Sequence, residues 1–73
     1  VRPVTVPQVL RAIARNTRTI RSSMKISQEE AAYRAGIVPR LWQRVENADP
    51  ITIKTLVAVA RTLGVEPAEL LRR

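Results

Sequence analysis

Ser27-Gln28-Glu29-Glu30-Ala31-Ala32-Tyr33-Arg34-Ala35-Gly36-Ile37-Val38-Pro39-Arg40-Leu41-Trp42-Gln43-Arg44-Val45-Glu46-Asn47 is the stretch on which the reading turns. It opens with the pattern of a capping box: the Ser27 hydroxyl can accept from the Glu30 amide, and the Glu30 carboxylate can reach back to the Ser27 N–H. A helix is expected to follow through Ala31, Ala32 and Ala35, whose small side chains permit close helix approach. It should stop at Gly36, which takes a left-handed conformation without steric penalty. Pro39 then suits the first position of the next helix. That helix divides cleanly, with Leu41, Trp42 and Val45 on one side and Arg40, Gln43, Arg44 and Asn47 on the other. Two helices joined by a tight Gly-containing turn have the spacing of a helix-turn-helix.

Working outward, Gly and Pro divide the chain into five short helical segments, and no stretch alternates long enough to be a strand. The expected class is all-α. Residues 1–6, with Pro3 among them, read as an N-terminal arm ahead of one domain at 7–73. Thr5-Val6-Pro7-Gln8 forms another capping-box pattern, starting a first helix to about Ser23. Val9, Ile13, Ile20 and Met24 form its apolar stripe, with Leu10 and Thr17 beside it, whereas Arg11, Arg15 and Arg18 share the opposite, solvated side. Thr52 can cap a fourth helix whose Ile53, Leu56, Val57, Val59, Ala60 and Leu63 are expected in the core, ending before Gly64. A last short helix follows Glu66-Pro67.

The chain has 73 residues, a formal charge of +7 and neither Cys nor His. That composition provides no disulfide, no thiolate or imidazole nucleophile and no zinc ligand set. No metal or cofactor is expected, and the six acids show no acid–base spacing, so no enzyme is expected either. Residues 1–26 carry six cations and no acid, an uneven field that attracts nucleic acid, anionic membrane or acidic protein. No apolar run approaches the roughly 20 residues of a membrane span, and no signal peptide is recognisable. The expected location is the cytosol.

With these elements in place, the chain resembles the lambda-repressor-like (Cro/cI-type, XRE) helix-turn-helix family of phage repressors, restriction-modification controllers and small bacterial regulators. The resemblance rests on Ile26-Ser27-Gln28-Glu29-Glu30-Ala31-Ala32, Ala35-Gly36-Ile37, Arg44-Val45-Glu46-Asn47, and Thr55-Leu56 through Ala60-Arg61-Thr62-Leu63-Gly64-Val65. It covers almost the whole chain. Three positions depart: Ala31 stands where Leu is common, Lys25 where Gly is common, and Val38 where Ser or Thr usually caps the recognition helix. The implied fold is a compact five-helix unit with helices 2 and 3 as the helix-turn-helix. The implied function is sequence-specific binding of double-stranded DNA by a transcriptional regulator, a homodimer on a palindromic operator. The alternative is an antitoxin or protein-binding adaptor on the same fold. These 73 residues leave no room for an inducer domain, so a protein of this length alone is expected to be controlled by its own concentration and dimerisation.

Base reading falls to the exposed side of the third helix and its start at Val38 and Pro39: Arg40 and Arg44 are candidates for guanine, Gln43 for adenine or a phosphate, and Val38 for a thymine methyl. Gln28 sits in the first turn of helix 2, where free amides attract anions, and the resemblance implies that it grips a phosphate. Asn47, Thr52 and Lys54 are further phosphate candidates. Arg21 and Glu46 both lie at apolar borders, where a lone charge would be costly, and are expected to pair. The resemblance implies the same pair, bracing helix 1 against helix 3. Trp42 belongs to the core, Tyr33 has no assigned role, and Arg2 is a candidate for the minor groove. Val65, Leu70 and Leu71 are the candidate dimer contact, with part of helix 4.

Overall fold

The chain is described by a computed structural model over residues 2–73; Val1 of the expected arm lies outside the described residues. Five helices follow one another, α1 (Val6–Ser23), α2 (Gln28–Ala35), α3 (Pro39–Glu46), α4 (Ile53–Leu63) and α5 (Pro67–Leu71), with no strand among the described residues. None is long and apolar enough to cross a membrane.

The caps explain most of the boundaries. Thr5 Oγ1 accepts from the Gln8 amide at 3.3 Å and Gln8 Oε1 accepts from the Thr5 amide at 3.0 Å, the reciprocal pair expected at the head of α1. At α2 only half of the expected box forms. Ser27 Oγ accepts from the Glu30 amide at 3.0 Å, but Glu30 turns along the exposed flank to Arg34 at 2.8 Å. An i,i+4 ion pair competes with the backbone for that carboxylate and wins here. Gly36 ends α2 at φ +73°, and Pro39 begins α3 without any side-chain cap, because Val38 has no acceptor to offer. Thr52 Oγ1 accepts from the Thr55 amide at 3.1 Å and starts α4. Lys25 and Ala48 adopt positive φ, +58° and +62°, a region that suits Gly and burdens other L-residues.

The core gathers Trp42, Val45, Val59 and Leu70, none more than 1% exposed, with Ile13, Leu56 and Leu63 around them. Ala31, Ala32 and Ala35 are buried where α2 meets α3 and α4. Thr17 is fully buried with its hydroxyl unpartnered. Two expected core residues are not core: Ile53 is 74% exposed and Val57 43%. In their place α4 buries Thr55 and Ala58. The Thr52–Thr55 hydroxyl bond, 3.2 Å, is made with Thr55 turned inward, and the same rotation turns Ile53 and Val57 to solvent.

Leu70, expected at a two-fold contact, is fully buried within its own chain. The reason lies in α1. Asn16 Nδ2 donates to the carbonyls of Leu70 at 2.9 Å and Arg72 at 2.7 Å, and Arg15 donates to the Arg72 carbonyl at 2.9 Å. These bonds draw the five-residue α5 against α1, with Leu70 inward and Leu71 outward, 40% exposed. Val65 is half-buried against the core.

Candidate nucleic-acid interface

Glu46 is the centre from which α3 is positioned. It is 2% exposed, and a carboxylate so buried survives only if its lone pairs are taken up by donors. Arg21 of α1 takes both oxygens, Nε to Oε2 at 2.6 Å and Nη2 to Oε1 at 3.0 Å. Trp42 Nε1 donates to Oε2 at 2.6 Å, and Gln28 Nε2 to Oε1 at 3.0 Å. Arg21 also donates to the Ile26 carbonyl at 2.9 Å, so one guanidinium joins α1, the turn before α2, and α3. Burial pushes the Glu46 carboxyl up, but the bonds from Arg21, Trp42 and Gln28 together with the Arg21 charge outweigh it and hold it below the usual range. The hydrogen bond to Glu46 raises the Arg21 pKa, against the opposing effect of its burial.

The expected Arg21–Glu46 pair is therefore present, and Trp42 belongs to the core. Four other residues sit differently from expectation. Gln28 directs its amide N–H inward to Glu46, so the donor expected to grip a phosphate is already engaged. Thr52 uses its hydroxyl both to accept from the Thr55 amide and to donate to the Thr55 hydroxyl, which leaves that group no proton for a phosphate. Arg18, expected on a solvated face, donates to the Glu46 main-chain carbonyl at 2.7 Å and approaches Glu46 Oε1 at 3.5 Å. Arg15 is held by the Arg72 carbonyl. A helical wheel gives a side chain's direction, but it carries no information about which distant segment passes there.

With Trp42, Val45 and Glu46 buried, α3 turns Pro39, Arg40, Gln43 and Arg44 to solvent together. Arg40 has no ion pair among the described residues. Arg44 leans on the loop that follows, 3.9 Å from Asp49 and 3.5 Å from the Pro50 carbonyl, contacts too long and too exposed to hold it. Val38, 64% exposed, projects just ahead of them. Compared with protein-family models, curated proteins and solved structures, the chain matches none significantly. Asn47 closes α3 on the side facing α1, in a cleft it shares with Arg11, Arg15 and Arg18, apart from Lys54, which is exposed on the first turn of α4. Asn47 and Lys54, the exposed phosphate candidates whose polar groups are not engaged as that of Thr52 is, thus flank α3 on different sides. Of the donors to Glu46, sequence reasoning missed Trp42, Gln28 and Arg18. The i,i+4 spacing of Trp42 and Glu46 was a usable signal for the first.

Proposed function

We propose that this chain is a non-enzymatic, sequence-specific binder of double-stranded DNA that reads the major groove with α3, in the five-helix arrangement of a lambda-repressor-like helix-turn-helix domain. The observation that carries the reading is the division of α3. One side is locked into the core through Trp42, Val45 and Glu46, while the other offers Arg40, Gln43 and Arg44 to solvent. An α-helix of about 10–12 Å diameter fits a major groove about 12 Å wide, and an Arg fork matches guanine O6 and N7. The net charge of +7 supplies the long-range attraction that such binding needs. Lys54 and Asn47, on either side of α3, are the proposed phosphate contacts, with Gln28 acting through the position of Glu46 in place of its own side-chain grip.

The proposed working form is a homodimer on a palindromic operator, with two α3 helices about 34 Å apart in successive grooves. Its contact uses Leu71 and the edge of Val65. Promoter occupancy in a bacterial cytoplasm then regulates transcription. Repeated selection of random duplexes by the full chain, followed by footprinting, tests the reading. A common motif with two half-sites about one helical turn apart is the expected result, and recovery of no motif would overturn it.

A further inference from the structure

The least explained feature of the surface is apolar. Between the α2–α3 turn and α4 runs a groove of about 790 Å³ whose walls include Ile37, Val38, Leu41, Val57 and Ala58. A second hollow of about 420 Å³, against Pro50 and Ile51, shares Leu41 and Thr55 with it. With Leu41 and Thr55 in the wall of each, the two adjoin along the α3–α4 seam and together make the trough. Ile53, 74% exposed, stands one turn from Val57 along the same helix. A small domain gains nothing in stability from such exposure, and a concave apolar surface with a polar rim suits a binding site.

The rim identifies the occupant. Its charged residues are Lys54, Arg61 and Arg44, and among the described residues no carboxylate lines either hollow, although Asp49 stands 3.9 Å from Arg44. A second copy of this chain docked groove to groove would bring cations against cations, so self-contact is disfavoured. We propose that the trough receives an acidic amphipathic helix of another protein, with apolar residues at i, i+4 and i+7 in the trough and carboxylates against Lys54, Arg61 and Arg44. Helix-in-groove docking of this kind takes its affinity from the apolar anchors and its orientation from the flanking charges. Val38, Arg44 and Lys54 belong both to the trough and to the proposed DNA-binding surface, so a docked helix excludes DNA. This last step alone rests on the proposed DNA binding.

The test uses the full chain and a synthetic helical peptide of about fourteen residues, roughly 21 Å long, carrying Leu at those spacings and Glu beside them. Controls are a scrambled peptide and one with Lys in place of Glu. The acidic peptide is expected to shift amide resonances of Val38, Leu41, Val57 and Ala58. Val57→Glu should weaken binding by about tenfold or more, equivalent to about 1.4 kcal/mol. Because Val57→Glu also alters a groove wall, the exposed pair Lys54→Glu with Arg61→Glu is measured beside it and should weaken the acidic peptide while favouring the Lys version. Absence of any shift at millimolar peptide, equal binding of all three peptides, or the same shifts appearing on concentrating the chain alone would each overturn the proposal, the last by assigning the trough to self-contact. Peptide binding is read without DNA, so failure to find an operator leaves this result intact. Where an operator is found, release of it by the acidic peptide is expected, and simultaneous binding of both would overturn the exclusion.

Discussion

Arg21 on α1 and Glu46 on α3, 25 residues apart, are joined by two hydrogen bonds of 2.6 and 3.0 Å, and this fixes the rotation of α3 about its axis. A rotation that withdrew Glu46 would leave Arg21 without its partner near the core and break the Trp42 and Gln28 bonds as well. The outward aim of Arg40, Gln43 and Arg44 is thus a consequence of an inward carboxylate.

Removing either partner is therefore expected to destabilise the fold by about 3–5 kcal/mol, the range for leaving a buried charge unpaired. Arg21→Ala and Glu46→Ala should be strongly non-additive. Denaturant unfolding of both single variants and the double variant measures the coupling, and a value near zero would mean that α3 is held by packing alone.

Acid should find the same place. A carboxyl whose folded pKa lies below its unfolded value contributes stability that is present above the unfolded pKa, about 4.3 for Glu, and is lost as pH falls through the folded value. Glu46 is such a group. The urea midpoint is expected to hold steady near neutrality and to fall below about pH 4. Glu46→Gln should start lower and flatten that fall. Arg21, shifted upward, would lose its contribution only on the alkaline side, beyond the range in which the fold is studied. An unchanged acid limb in Glu46→Gln would assign the acid sensitivity to another carboxylate.

Lys25 and Ala48 carry left-handed backbone at the two ends of the segment that holds α2 and α3. A non-Gly residue there costs about 1–2 kcal/mol, and glycine's extra freedom in the unfolded chain offsets roughly half of the relief. Lys25→Gly and Ala48→Gly are each expected to stabilise by about 0.5–1 kcal/mol, a rise in Tm of about 2–8 °C. Lys25→Ala, which removes the charge and keeps the strain, should not. Thermal melts of the three variants decide the point.

On duplex DNA, base reading and backbone contact should separate. Arg40→Ala is expected to lose about 1–3 kcal/mol on the selected site and to relax preference at particular base pairs. Lys54→Ala should weaken selected and unrelated duplexes by similar factors and reduce the salt slope by about 1. A base-by-base affinity matrix measures both. If Arg40→Ala left the matrix unchanged while lowering affinity throughout, α3 would be gripping the backbone and reading nothing.

Leu70 and Leu71 are neighbours with different expected phenotypes. Leu70→Ala opens a cavity in the core and should cost about 2–5 kcal/mol. Leu71→Glu should leave the melt nearly unchanged and shift sedimentation toward the monomer. If Leu71→Glu left the association state unaltered, α5 would not be the contact between copies.

Much of this architecture was legible because it is written in local chemistry. Thr5 with Gln8, Ser27 and Thr52 announce helix starts by hydroxyls and amides that can meet backbone groups three residues away, and Gly36 and Gly64 announce stops by conformations other residues avoid. The pairing of Arg21 with Glu46 followed from a physical rule, since two charges at apolar borders need each other. Other features depend on which segment arrives from elsewhere. Gln28 turned inward because Glu46 has lone pairs to fill, and Arg15 and Arg18 found carbonyls at Arg72 and Glu46 that no wheel displays. Ile53 and Val57 were misplaced because α4 is apolar on nearly every side, so its pattern does not indicate which way it faces. Between Leu70 and Leu71 the pattern is silent, and the Asn16 bonds decide.

Those Asn16 bonds also set an order in time. They join residues 54 and 56 positions apart, among the widest separations in the domain, and without them a helix of five residues is too short to persist. As the chain is made, α1 is complete by residue 23, yet the surface of α1 that receives α5 stays uncovered until residue 72 has been added. The nascent α1 must keep that surface wet or sheltered while α2, α3 and α4 are made. The domain is then expected to close late and in one step, when the last helix reaches the first.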